Sequence, residues 1–145
     1  ARLVLAARSQ NLLQEVASEC MAAGAAEAVV ISCDLSTPAG VDALADQVLA
    51  GGACDVLVNN AGMDDAGNAT LGDPNVWDKM LFLNLHAPMR LTRRLAPGMA
   101  DRRKGVIINI GSVAGVEPMS GTFAAYAAAK HGLRGWSTSI YQSLR

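Results

Sequence analysis

Aromatic side chains are scarce in these 145 residues, at 4%, and none is interleaved with the basic ones. Single-stranded nucleic acid is gripped by rings stacked on bases beside cations, so that function is disfavoured. Neither sign of charge is in excess: 12 Lys and Arg face 13 Asp and Glu, for a formal net charge of -1. Such a balance exerts no long-range pull on nucleic acid or an anionic membrane. The basic residues that do cluster are Arg90, Arg93 and Arg94, then Arg102, Arg103 and Lys104. They read as a solvated or partner-facing helix end, where cations complement the helix dipole. The three cysteines, Cys20, Cys33 and Cys54, are odd in number, widely spaced and in apolar company, as expected of buried free thiols. His86 and His131 stand apart from cysteines and carboxylates, which disfavours a metal site. No apolar run approaches the ~18 residues of a membrane span, and nothing resembles a signal peptide. The expected setting is intracellular and soluble, in a reducing compartment such as the cytoplasm.

What the chain does contain is apolar sequence, 51% of residues, enough for one domain with a buried sheet. Short apolar runs alternate with amphipathic segments. Leu3 to Ala6 reads as a strand, followed by a helix capped by Ser9 with Leu12, Leu13, Val16 and Cys20 inward and Gly24 as its stop. Ala28 to Ser32 is a second strand. Val41, Leu44, Val48 and Leu49 mark a second helix, closed by Gly51 and Gly52. Asp55 to Val58 is a third strand, leading into Asn59-Asn60-Ala61-Gly62. Asp73-Pro74 caps and starts a long helix to about Ala96. Val106 to Ile110 is a fourth strand, and the last helix runs from about Thr122 to Leu144. Continuous apolar strands alternating with helices predict parallel strands joined by right-handed crossovers, an α/β doubly wound sheet with helices on both faces.

The chemistry concentrates in Tyr126-Ala127-Ala128-Ala129-Lys130. Residues four apart share a helix face, so phenol and ammonium can meet at one substrate. An ammonium beside a phenol stabilises phenolate, which suits general acid–base work on a carbonyl. Ser112 follows the fourth strand, at the edge where doubly wound sheets bind ligands, and its hydroxyl can steady a developing alkoxide. Asn84 lies four residues before Pro88. Proline has no N–H, so the Asn84 carbonyl loses its helical partner and can hold a water; a simple kink is the alternative.

Taken together, Asn59-Asn60-Ala61-Gly62, Asn84, Ser112 and Tyr126-x-x-x-Lys130 resemble the classical short-chain dehydrogenase/reductase family, in order and spacing, over nearly the whole chain. The resemblance implies a Rossmann-type domain at 1–145 in which Asn84, Ser112, Tyr126 and Lys130 are catalytic. It further implies that Tyr126 and Lys130 also border the cofactor. Asp34 and Leu35 would hold the adenine, and Asn60, Ala61 and Gly62 would line the adenosine ribose and cleft. Asn59 reads as structural. Where relatives that prefer NAD carry an acidic residue at a strand end, this chain has Ala7 and then Arg8, so NADP(H) is favoured, with NAD(H) possible. The expected reaction exchanges hydride between that cofactor and a carbonyl or secondary alcohol. A 3-oxoacyl-carrier-protein reductase is a narrower alternative, suggested by Gly111-Ser112-Val113-Ala114-Gly115. A non-catalytic nucleotide-binding scaffold is another. The family's glycine-rich phosphate turn and its carboxyl-terminal strands and substrate loop do not occur here. The domain is therefore expected to be incomplete, with unpaired edges on the first and third strands and little activity as a separate polypeptide. A homodimer or homotetramer is expected of the full-length protein.

Overall fold

The structure, a computed structural model, describes residues 1–64 and 68–143. Strands β1 (Arg2–Ala7), β2 (Glu27–Ser32), β3 (Val56–Asn59) and β4 (Val106–Asn109) alternate with helices. These are α1 (Gln10–Ala22), α2 (Pro38–Ala50), α3 (Pro74–Leu81), α4 (Ala87–Asp101) and α5 (Ala124–Ser143). All strand pairing is parallel: β1 with β2, in the register Leu3 to Ala28, and β3 with β4, in the register Val56 to Val106. The sheet is present as two two-stranded halves: no backbone ladder joins β1 to β3 among the described residues, in line with the unpaired edges expected on those two strands.

The core lies between the first strand pair and the helices over it. Ile31, Leu35, Val41, Leu44, Ala45, Ala87 and Leu91 form one buried cluster, with Val4, Ala6 and Leu57 packed against it. Helix α2 is held to α4 by charge as well as by apolar contact. Arg90 pairs with Asp42, and Arg94 with both Asp42 and Asp46. Arg102 and Lys104 reach Asp55. Much of the basic cluster is therefore answered locally by carboxylates distant in sequence, rather than left as a free solvated end.

Other local expectations are corrected. Ser9 occupies the N-cap of α1, but its side chain makes no cap hydrogen bond. Only Leu13 of the expected inner stripe is buried; Leu12 and Val16 are exposed, the packing of α1 among the described residues being chiefly on β1 and β2. The three cysteines are half-buried, and burial is the main influence raising Cys33 and Cys54 above the usual thiol value. The helix expected to stop at Ala96 continues to Asp101 with Pro97 inside it. Pro97 lies on the exposed side, where water can satisfy the carbonyl its missing N–H leaves open. At the other end, α5 begins at Ala124, after a 3-10 turn over Gly121–Phe123. Leu144, the expected end of that helix, lies outside the described residues. No helix among the described residues is long and apolar enough to cross a membrane.

Candidate active site

Parallel strands deliver their following loops to one edge, so Asn60–Met63 after β3 and Gly111–Ser112 after β4 are neighbours. A cleft of about 260 Å³ opens there, bordered by Asn60, Gly62, Asn84, Gly111, Tyr126 and Lys130. Residues from four separate segments converge on it: the loops after β3 and β4, the turn that carries Asn84, and α5.

Tyr126 and Lys130 share one face of α5 near its start. The Lys130 Nζ donates to the Ile110 carbonyl at 2.8 Å and lies 5.7 Å from the centre of the Tyr126 ring. Lys130 is only 6% exposed. Burial of an ammonium is costly without a partner, so the carbonyl and the ring face fix where this charge can sit. The turn after β4 supports the same spot. Ser112 is the N-cap of a 3-10 turn over Val113–Gly115, and its Oγ accepts from the Ala114 N–H at 3.2 Å. Its own O–H remains a possible donor. Gly115 closes the turn against α5: a Cβ built there would lie 2.8 Å from the Lys130 carbonyl oxygen.

Asn84 is 1% exposed and is clamped to the loop after β3. Its Nδ2 donates to the Met63 carbonyl at 2.6 Å, and its Oδ1 accepts from the Met63 N–H at 3.0 Å. Gly62 is required beside it, because an added Cβ would stand 2.7 Å from the Asn84 Oδ1. The helix around Asn84 is neither continuous nor simply kinked. Phe82–His86 forms a π-helical turn, in which the Ala87 N–H bonds to the Phe82 carbonyl. Shifting the ladder by one residue accommodates the donor missing at Pro88. Asn84→Ala is expected to destabilise the protein by about 1–3 kcal/mol, through loss of both partners of the part-buried Met63 peptide groups. A urea titration checks this, with Asn84→Asp expected to cost at least as much, because a carboxylate at this 1% exposed site would face the Met63 carbonyl.

The remaining predicted residues gather at the end of the other strand pair. Arg8 and Asp34 are both exposed there and interact electrostatically. The Ser36 hydroxyl and N–H, both bonded to Asp34 Oδ1, hold that carboxyl below its ordinary value, with help from Arg8 and Lys79. Leu35 is 8% exposed and belongs to the core, so its side chain is committed to packing and only its backbone can face a ligand. Ala61 is exposed beside Asn60. Sequence reasoning missed Asn109, Ser137 and the contact of Gly115 with Lys130. Asparagine is uncommon inside strands, so Asn109 carried a readable signal; the other two carried none without coordinates.

A parallel α/β layer with a polar cleft at the carboxyl ends of its strands is the arrangement in which doubly wound folds bind ligands, nucleotides among them, and does not by itself fix a family. The short chain dehydrogenase family model matches residues 1–145, and the chain belongs to that family of NAD(P)-linked oxidoreductases. It is similar to a metagenomic short-chain oxidoreductase solved in complex with NADP, at 45% identity and a TM-score of 0.93, covering 100% of this chain and 66% of that one. It is 36% identical over 139 residues to dehydrogenase/reductase SDR family member 7B of Bos taurus, covering 90% of this chain and 42% of the relative. The ketoacyl reductase HetN of a Nostoc species is 34% identical over 145 residues, covering 99% and 50%. The chain thus spans half or less of the length of these two curated relatives.

The residues present fit two parts of a dinucleotide. Asp34 and Arg8 offer exposed charge at one strand end, and the Tyr126–Lys130 cleft offers polar groups at the other. Gly111 leaves that cleft open, since an added Cβ would meet nothing within 4 Å.

Proposed function

We propose that this chain carries the catalytic half-site of an NADP(H)-dependent reductase acting on a ketone or secondary alcohol. The observation behind the reading is the convergence of Tyr126, buried Lys130 and Asn84 on one cleft at the strand ends. When bound, the nicotinamide supplies or receives the hydride, which no side chain can do. Tyr126 gives the proton to the carbonyl oxygen in reduction and takes it back in oxidation. Lys130 stabilises the phenolate left behind, and the Ser112 hydroxyl steadies the substrate oxygen. Asn84 contributes through its backbone, its side chain being engaged by Met63: its carbonyl, four residues before Pro88 and so without the usual N–H partner, holds a water that resupplies the proton. Lys130 also binds the nicotinamide ribose, with Asn60, Ala61 and Gly62 along the adenosine ribose and cleft. Asp34 and the Leu35 backbone bind the adenine.

Arg8 supports the choice of NADP(H): an exposed guanidinium at the end of β1 suits a 2′-phosphate, and no carboxylate at that strand end repels one. Paired kcat/KM values for NADPH and NADH with a ketone test the reading. A preference for NADPH is expected, and Arg8→Ala should reduce it about tenfold, the scale of one charged hydrogen bond. Equal use of both cofactors by the unaltered protein would overturn it. The likeness to a ketoacyl reductase makes an acetoacetyl thioester the first substrate to compare with simple ketones. Self-association through α4 and α5 belongs to the same proposal, because an apolar groove of about 520 Å³ runs between them past Met89, Ala96 and Trp136.

A further inference from the structure

One chain of side-chain hydrogen bonds lies outside the cleft and has no part in the chemistry above. Asn59 and Asn109 are register partners on β3 and β4, so their side chains emerge on the same face. The Asn59 Nδ2 donates to the Asn109 Oδ1 at 2.8 Å. The Asn109 Nδ2 donates in turn to the Ser137 Oγ at 2.9 Å, and Ser137 donates to the Leu133 carbonyl at 2.6 Å. Every link runs in one direction, so no member can reverse its role without breaking its neighbour's bond.

The position of this chain gives it consequence. Ser137 lies seven residues after Lys130, two turns along the same face of α5. Lys130 itself bonds to the carbonyl of Ile110, the residue next to Asn109. Two consecutive residues at the end of β4 therefore hold α5 at two points about 10 Å apart along its axis. A single contact would leave the helix free to rotate or slide, whereas two fix both.

We propose that Asn109 and Ser137 are positioning residues that set the rotation and height of α5, and so the placement of Lys130 and Tyr126 against the end of β4. This inference rests on the redox reading above. Removing the Ser137 hydroxyl leaves the Asn109 amide without its acceptor while the Lys130 bond remains as a pivot. The ammonium is then less closely held beside the phenol.

The test uses the full-length protein with Ser137→Ala, Asn109→Ala and the conservative Ser137→Thr. With Ser137→Ala, kcat is expected to fall about tenfold with little change in KM for NADPH, since small misplacements weaken oriented chemistry. Ser137→Thr, which keeps the hydroxyl, should restore kcat. A second readout needs no turnover: the rate at which an acylating reagent labels Lys130, followed by mass spectrometry, should rise in Ser137→Ala and Asn109→Ala. Variants that melt earlier yet keep the wild-type kcat and labelling rate would overturn the proposal. An unaltered protein that labels as expected but never turns over would instead sink the redox reading and leave the positioning intact.

Discussion

Tyr126→Phe in the full-length protein is expected to lower kcat by about 10²–10⁴-fold, the usual contribution of a positioned acid–base group. Phenylalanine keeps the ring that Lys130 faces at 5.7 Å, so the ammonium retains that neighbour as well as the Ile110 carbonyl. Packing in the first turns of α5 is likewise retained. Only the transferable proton is lost. Cofactor affinity, measured by fluorescence titration with NADPH, should stay within about threefold, because one hydroxyl among many contacts carries little binding. The melting temperature should barely move. A variant with unchanged kcat would show that the proton comes from elsewhere.

Gly115→Ala should act through the opposite route, by geometry and not by chemistry. The added methyl would stand 2.8 Å from the Lys130 carbonyl oxygen, 3.0 Å from its carbonyl carbon and 3.3 Å from its Cβ. Two of these atoms are backbone, so no rotamer change relieves the contact. Either the turn after Ser112 lifts from α5, or the helix turn carrying Lys130 retreats. Overpacking of this type costs about 1–3 kcal/mol. It also displaces Ser112 from Lys130, with an expected loss of about 10²-fold in kcat if the displacement approaches 1 Å. Thermal melting and steady-state kinetics on the same preparation would separate the two effects. A variant neutral in both would mean that the turn does not press on the helix as described.

How far the sequence could be read depended on whether a feature is periodic or relational. The order of strands and helices comes from apolar runs and breakers, and the four strands lie within a residue or so of their expected positions. The meeting of Tyr126 with Lys130 could be read from a spacing of four on one helix. Asn84 could be singled out because Pro88 lies four residues later, but the π turn could not, since a shifted hydrogen-bond ladder leaves no composition of its own. The Asn84 clamp on Met63, the Asn109–Ser137 link and the Arg94–Asp46 pair join residues 21 to 48 positions apart. Nothing local encodes such distances. The exposure of Leu12 and Val16 shows the converse: a sequence stripe identifies which residues prefer burial, not whether a neighbour is present to bury them.

The π turn at Phe82–His86 makes the length of this helical region count as much as its composition. Deleting a single residue there would remove the π turn but leave Pro88, still without an N–H, in the interior of the helix. It would also turn the α3 side of the deletion by about 100° relative to the α4 side, since 3.6 residues complete a circle. Trp77 and Met80 would then face new surroundings, and Asn84 would swing out of reach of Met63. The surplus residue works as a spacer whose removal disconnects the helix from the cleft.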